Sequence, residues 1–347
     1  MDISKRNIND DCIRLIAMIM VIIIHVNYED VITNPWLKAA IMTVVSCSNC
    51  FFFILSGKYN LRINPKPGEE IKEITRFYKK KFIDILFPFV TISMLLSIWN
   101  YVIVVDAPMT FKSYMLFAMK ELFSENATKH MWFMYPLLGY ILSTPFLARM
   151  LHSMRDGELH ILMIVGLIWN TVTIIFQDTE HTFGYYGWLM SGWIVYYIAG
   201  YYLDRVMNNN NHHLLKALMI CGSIGLAVNV CGMVLLPENY YSYSEYTDPF
   251  LMFAIGLFVF LEQKIRISGN VPVRIISMVV KHSFTIYLVH YSLLNYLIVE
   301  YVCFDSVALQ FTMRVVVTLL LSFAVACVID YVLALVKKPL RRVLHLT

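Results

Sequence analysis

Arg14 and His25 lie in one apolar stretch, residues 11–28, which is long enough to cross a bilayer as a helix. An ionisable side chain inside such a stretch faces a bundle interior or a water-filled cavity. Their spacing is close to three helical turns, so the two side chains share one face about 16 Å apart along the axis. Asp11, three residues before Arg14, shares that face. A guanidinium suits bidentate contact with phosphate or carboxylate, and an imidazole titrates nearest neutral pH, which suits proton transfer. Both residues also sit near the ends of the stretch, where Arg14 can snorkel to headgroup phosphates and His25 can reach the opposite interface. Spacing alone leaves the two readings open. Ser283 and Tyr287 raise a similar question, since hydroxyls on one helix face either stabilise a developing oxyanion or tie helices together. His290 falls mid-stretch in the same segment. His130 and Trp132 open another apolar stretch, where Trp also fits the interfacial aromatic belt.

The elements that hold these residues follow from composition. Hydrophobic residues make up 59% of the 347 positions and charged residues 15%, against about half and a quarter in soluble proteins. Lipid is therefore the expected solvent. Apolar runs of spanning length cover about 11–28, 37–56, 82–105, 131–150, 159–177, 187–205, 213–236, 247–263, 282–302 and 309–336, which predicts an all-α, polytopic bundle of ten transmembrane helices. Segment 111–123 is too short and too charged to span and is expected to lie along the interface. Lys5 and Arg6 precede the first run as they would in a signal peptide, but no small-residue cleavage pattern follows His25, so this helix is expected to be retained. No linker, repeat or low-complexity tract divides the chain, which reads as one membrane domain over residues 1–347.

Charge gives the orientation. With the amino terminus inside, 23 of the 28 Lys and Arg fall on the inner side, including eight between Lys58 and Lys81. The acids divide twelve to each side, leaving the inside at +11 and the outside at −7. Exported loops are poor in Lys and Arg, so both termini are expected in the cytoplasm of a multi-pass plasma-membrane protein. No basic stretch is interleaved with base-stacking aromatics outside the apolar runs, which excludes nucleic acid as a partner. The seven cysteines lie in or beside apolar segments as small hydrophobes. Cys47 and Cys50 have a Cys-x-x-Cys spacing but no second pair to complete a zinc site, and no metal is expected. His152, His160, His181, His212, His213 and His345 sit in loops or at span ends and read as solvated.

Taken in order, the motifs resemble the acyltransferase-3 family. Asp11-Cys-Ile-Arg14-Leu-Ile-Ala17, followed after ten residues from Arg14 by His25, resembles the family's first-helix signature. Phe51-Phe-Phe-Ile-Leu-Ser56-Gly57 is similar to its aromatic-Ser-Gly end of helix two. Arg76, Lys79, Lys80 and Lys81 before Pro88 resemble the start of helix three, although Arg is commoner than Lys there in the family. His130-Met-Trp132-Phe133 with Pro145, Tyr196-Tyr-Ile-Ala-Gly200-Tyr201, and Ser283-Phe-Thr-Ile-Tyr287-Leu-Val-His290 match further elements, so the resemblance runs from residue 7 to about 295.

The resemblance implies transfer of an acyl group, usually acetyl, from cytoplasmic acyl-coenzyme A to a hydroxyl of a glycan or another envelope molecule, with amines as acceptors in some members. On that implication Arg14, Arg76, Lys79, Lys80 and Lys81 hold the phosphates of coenzyme A, and the pantetheine arm runs along the first helix toward His25. His25 is then the candidate general base, with Tyr287, Ser283 or His290 as candidate oxyanion donors. His130 and Trp132 shape the mouth for the acceptor. Ser56-Gly57 reads as a tight helix end, not a nucleophile, because no base is evident beside it. The chain ends shortly after its last span, so it is expected to act alone on the acceptor or to pass the acyl group to a separate extracytoplasmic partner. A transporter or flippase is the competing class; the absence of symmetry between the halves and the concentration of polar residues in spans one and nine count against it.

Overall fold

The computed structural model describes residues 7–26, 31–104, 110–123, 129–177, 192–236 and 247–346, and every regular element among them is helical. The helices begin where the sequence supplies caps. α1 (Ile8–His25) starts at Asn7, whose side chain accepts from the Asn9 amide at 3.0 Å. α2 (Pro35–Asn60) starts at Asn34, which accepts from Trp36 and Leu37, and Pro35 occupies the first turn, where no amide is missed. α3 (Glu70–Lys81) runs through a π-helical turn, Phe82–Leu86, into α4 (Phe87–Val104). α5 (Phe111–Phe123), a 3-10 turn (Lys129–Phe133), α6 (Met134–Ser153), α7 (Asp156–Gln177), α8 (Trp193–Asn208), α9 (His212–Leu235) and α10 (Asp248–Lys264) follow. α11 (Asn270–Lys281) and α12 (Ser283–Leu293) are separated at His282, and a second π-helical turn, Leu294–Ile298, carries α12 on toward Tyr301. α13 (Val307–Val343) closes the chain, capped by Ser306.

Five of these helices are long and apolar enough to cross a membrane: Pro35–Asn60, Glu70–Val102, His130–Ser153, His212–Leu235 and Val307–Val343. The broken pair Asn270–Lys281 and Ser283–Tyr301 makes a sixth if taken as one span. The chain is thus an integral membrane protein by length and apolarity of its helices. Helices also form at the other expected places, but α1 carries Asp10, Asp11 and Arg14 within 18 residues and α10 has 17 residues. Parts of the expected spans at 27–28, 105 and 187–191, together with His181, lie outside the described residues.

Three differences from the sequence reading have physical causes. Residues 264–281, which no expected span covers, contain α11, an amphipathic helix whose apolar residues recur at helical spacing. The helix that holds the apolar run 309–336 extends beyond it, through Lys337, Lys338, Arg341 and Arg342, all strong helix formers that prefer a helix's last turns. Ser56-Gly57 is not a helix end, because α2 continues to Asn60.

The helices fall into two compact units. Unit one comprises Met1–Asn64 and Ser143–Val280, and unit two Pro65–Leu142 and Lys281–Thr347. In unit one, Gly57 explains itself by packing. A Cβ on Gly57 would lie 1.7 Å from the Tyr197 carbonyl oxygen, and one on Gly200 would lie 2.0 Å from that of Ile54. Only hydrogen fits where α2 and α8 cross, so two motifs distant in sequence form one contact. α9 and α10 meet in the same manner at Gly222 and Gly256. Near the opposite end of α2, Asn229 donates to Thr43 Oγ1 at 3.0 Å and accepts from Thr247 Oγ1 at 3.2 Å. In unit two, α12 packs on α13 and α4 on α5. Tyr101 donates to Ser113 Oγ at 2.8 Å and Tyr114 donates to the Met94 carbonyl, which binds α5 to α4.

Candidate functional site

In unit one the candidate residues sit on α1, an unbroken helix. Arg14 Nη1 lies 3.4 Å from Asp11 Oδ1, on the face the two residues share by spacing, with Arg14 partly open and Asp11 buried. His25 ends the helix. Its Nδ1 lies 2.8 Å from the Val21 carbonyl oxygen, one turn back. A carbonyl only accepts, so the tautomer assigned by this bond has the proton on Nδ1 and a lone pair on Nε2. That is the form in which an imidazole can accept a proton from a substrate.

The start of α1 is fixed by an ion cluster that the sequence did not reveal. Lys58 Nζ, on the last turn of α2, lies 2.7 Å from Asp10 Oδ1 and 2.8 Å from Glu262 Oε1 of α10. Tyr59 donates to Asp10 Oδ2 at 2.5 Å, and Asn7 and Asn9 donate to Glu262. Lys58 had been counted among the inner-side cations; it is buried. The signal for it was the presence of Asp10, Lys58 and Glu262 at the same end of three apolar helices, where buried charges must pair.

In unit two, His130, Tyr287 and His290 come together. His130 Nε2 and His290 Nδ1 both donate to the Tyr287 carbonyl oxygen, at 3.0 and 2.7 Å, and Tyr287 donates its hydroxyl to the His130 carbonyl at 2.5 Å. The His130 and His290 rings are 4.8 Å apart. His130 and Tyr287 thus tie the 3-10 turn to α12 by reciprocal bonds. All three residues are buried, and in this arrangement the Tyr287 proton is directed to a backbone oxygen. Ser283 is buried in the first turn of α12, and Trp132 is half-buried on the 3-10 turn with its ring 6.4 Å from that of Phe133.

The basic run forms the end of α3. Arg76 and Lys80 are exposed, Lys79 Nζ reaches the Leu344 carbonyl at 3.4 Å, and Lys81 lies over the Phe77 ring at 5.4 Å. The π-helical turn that follows re-phases the helix, a device frequent at functional sites. Asp84 on that turn accepts from Arg341 Nη2 at 2.5 Å.

One histidine escaped sequence reasoning altogether. His282, at the break between α11 and α12, directs Nδ1 to Asp330 Oδ2 at 2.5 Å, and Thr285 donates to Asp330 Oδ1 at 2.6 Å. Asp330 is the only acid in the apolar run 309–336, and a lone ionisable residue within such a run is the signal that could have found it, though not its partner.

The sequence matches the family model Acyl_transf_3, an acyltransferase domain, over residues 8–331. The chain belongs to the acyltransferase-3 family. No curated protein and no solved structure matches it. Membership makes this an acyltransferase, and the matched stretch contains Arg14, His25, the basic run and the His130, Tyr287 and His290 group.

Proposed function

We propose that this acyltransferase-3 protein moves an acetyl group from cytoplasmic acyl-coenzyme A to a hydroxyl of an envelope glycan or related acceptor, with His25 as general base. It does so as one membrane domain of ten spans with both termini in the cytoplasm. The observation that supports the chemistry is the bond from His25 Nδ1 to the Val21 carbonyl, which orients the ring at the end of α1 and puts the imidazole proton on Nδ1, the tautomer whose basic nitrogen is Nε2. His25 removes the hydroxyl proton as the acceptor oxygen attacks the thioester carbonyl carbon. The tetrahedral oxyanion then collapses, the C–S bond breaks, the ester forms, and the proton passes to the departing thiolate to give free coenzyme A.

Arg14 and, separately, Arg76, Lys79, Lys80 and Lys81 are proposed to hold phosphates of the donor, since guanidinium and ammonium groups make strong charge-assisted bonds to phosphate oxygens. His290, Tyr287 and Ser283 are proposed to support the reacting centre, and His130 and Trp132 the entry of the acceptor. The reciprocal bonds between His130 and Tyr287 support a role in holding that region rigid. The test uses purified protein, acetyl-coenzyme A labelled in the acetyl group, and fractionated envelope material. Label entering a glycan fraction as a base-labile ester is expected; label that enters no fraction, or remains on the thioester, contradicts the proposal.

A further inference from the structure

The family match ends at residue 331, but α13 continues to Val343 and carries Lys337, Lys338, Arg341 and Arg342 on its last turns. Two bonds fasten this tail to the basic end of α3 within unit two. Arg341 Nη2 meets Asp84 Oδ1 of the π-helical turn at 2.5 Å, and Lys79 Nζ meets the Leu344 carbonyl at 3.4 Å. These bonds bring the basic last turns of α13 to the end of α3 that carries Lys79, Lys80 and Lys81.

The carboxylates there offset them only in part: Asp84 and Asp330 both act on Lys337, and Asp84 on Lys81, so two carboxylates face eight cations. Asp84 is engaged by Arg341, and Asp330 accepts from both His282 and Thr285. Glu70 and Glu73 lie in the first turn of α3, with Glu73 one turn before Arg76 and more distant from Lys79, Lys80 and Lys81. Like charges gathered so closely repel one another. Cations that serve only to orient a membrane protein need no tether between the helices that carry them. Specific bonds that draw α13 onto α3 make sense when an anion occupies the space.

We propose that the last turns of α13 and the end of α3 together form a binding wall for a ligand bearing several phosphates, chemically the phosphorylated nucleotide head of the donor. The inference rests on the coenzyme A reading above and adds residues outside the family match to it. Coenzyme A presents a pyrophosphate and a separate phosphomonoester, so two rows of cations can engage its head at once, with Arg342 suited to bidentate contact. Anionic lipid headgroups share the phosphate chemistry and are separated in the test.

Binding of coenzyme A and of dephospho-coenzyme A is measured on the full chain in nanodiscs of phosphatidylcholine, alone or with phosphatidylglycerol. Lys338→Gln with Arg342→Gln leaves both tethers intact and is expected to weaken coenzyme A binding at least about threefold, and neutralising all four α13 cations at least about tenfold, in both lipid compositions. Dephospho-coenzyme A should be less sensitive to the same changes. Unchanged coenzyme A affinity in the double variant overturns the inference, as does an effect confined to the phosphatidylglycerol discs, which would assign the cations to lipid. Neutralising Arg76, Lys79, Lys80 and Lys81 separates the two levels of the argument. If that variant loses binding while the α13 variants do not, the donor reading stands and the α13 wall fails; if none loses binding, both fail.

Discussion

Replacing Lys58 by Met should be among the most damaging single changes in unit one. The Lys58 side chain is 5% exposed, and its two carboxylate partners, Asp10 and Glu262, are 1% and 10% exposed. Met preserves the volume but leaves two carboxylates facing each other without their cation, at the junction of α1, α2 and α10. Removing one member of a buried ion cluster costs about 3–5 kcal/mol. A unit of this size shifts its melting temperature by about 2–4 °C per kcal/mol, so a fall of about 6–20 °C is expected. Detergent-solubilised protein, heated and followed by size-exclusion recovery, provides the assay. Combining Lys58→Met with Asp10→Asn and Glu262→Gln removes the stranded charge and should recover most of the loss. A single variant that melts within about 2 °C of the parent, or a triple variant no better than the single one, would refute the argument.

Other expectations follow from the same geometry. Gly200→Ala forces a methyl to within 2.0 Å of the Ile54 carbonyl oxygen and should cost more than the usual overpacking penalty of about 1–3 kcal/mol, whereas Gly157→Ala, with no described atom within 4 Å of the added methyl, should not destabilise in the same melting assay. Arg62 forms a fork to Asp204 at 3.0 and 2.7 Å that raises the guanidinium pKa further above its ordinary value, so the pair stays charged. Arg62 is 49% exposed, however, and Arg62→Gln should cost less than about 1 kcal/mol. Reporter cysteines in a Cys-free background should be labelled from outside at Asp178 and Ser242, which lie outside the described residues, but not at Pro67 or Asn209. Outside labelling at Pro67 would overturn the proposed orientation.

Periodicity and length made the helices legible, because a lipid solvent leaves the backbone few other choices. They did not mark where helices stop. The basic tail of α13 reads as a loop on hydropathy, since charge ends an apolar run without ending a helix. Gly57 reads as a terminator in sequence because its reason lies on another helix: the carbonyl of Tyr197, some 140 residues away, fills the space a side chain would need. The pairing of Arg14 with Asp11 was visible because it is local, three residues along one helix. Lys58 with Asp10 and Glu262, and His282 with Asp330, were not, because each joins segments far apart in the chain and no spacing rule connects them. The grouping of His130 with Tyr287 and His290 was hidden for the same reason, although each residue was singled out by type.

Whether His25 removes the acceptor's proton is decided by acetyl transfer and coenzyme A binding measured on the same preparation of His25→Gln. Glutamine keeps much of the volume and can still hydrogen-bond, but it cannot take the proton. Transfer should fall by a factor of about a hundred to ten thousand, with coenzyme A affinity close to that of the parent. Near-normal transfer by a well-folded His25→Gln protein would contradict that role.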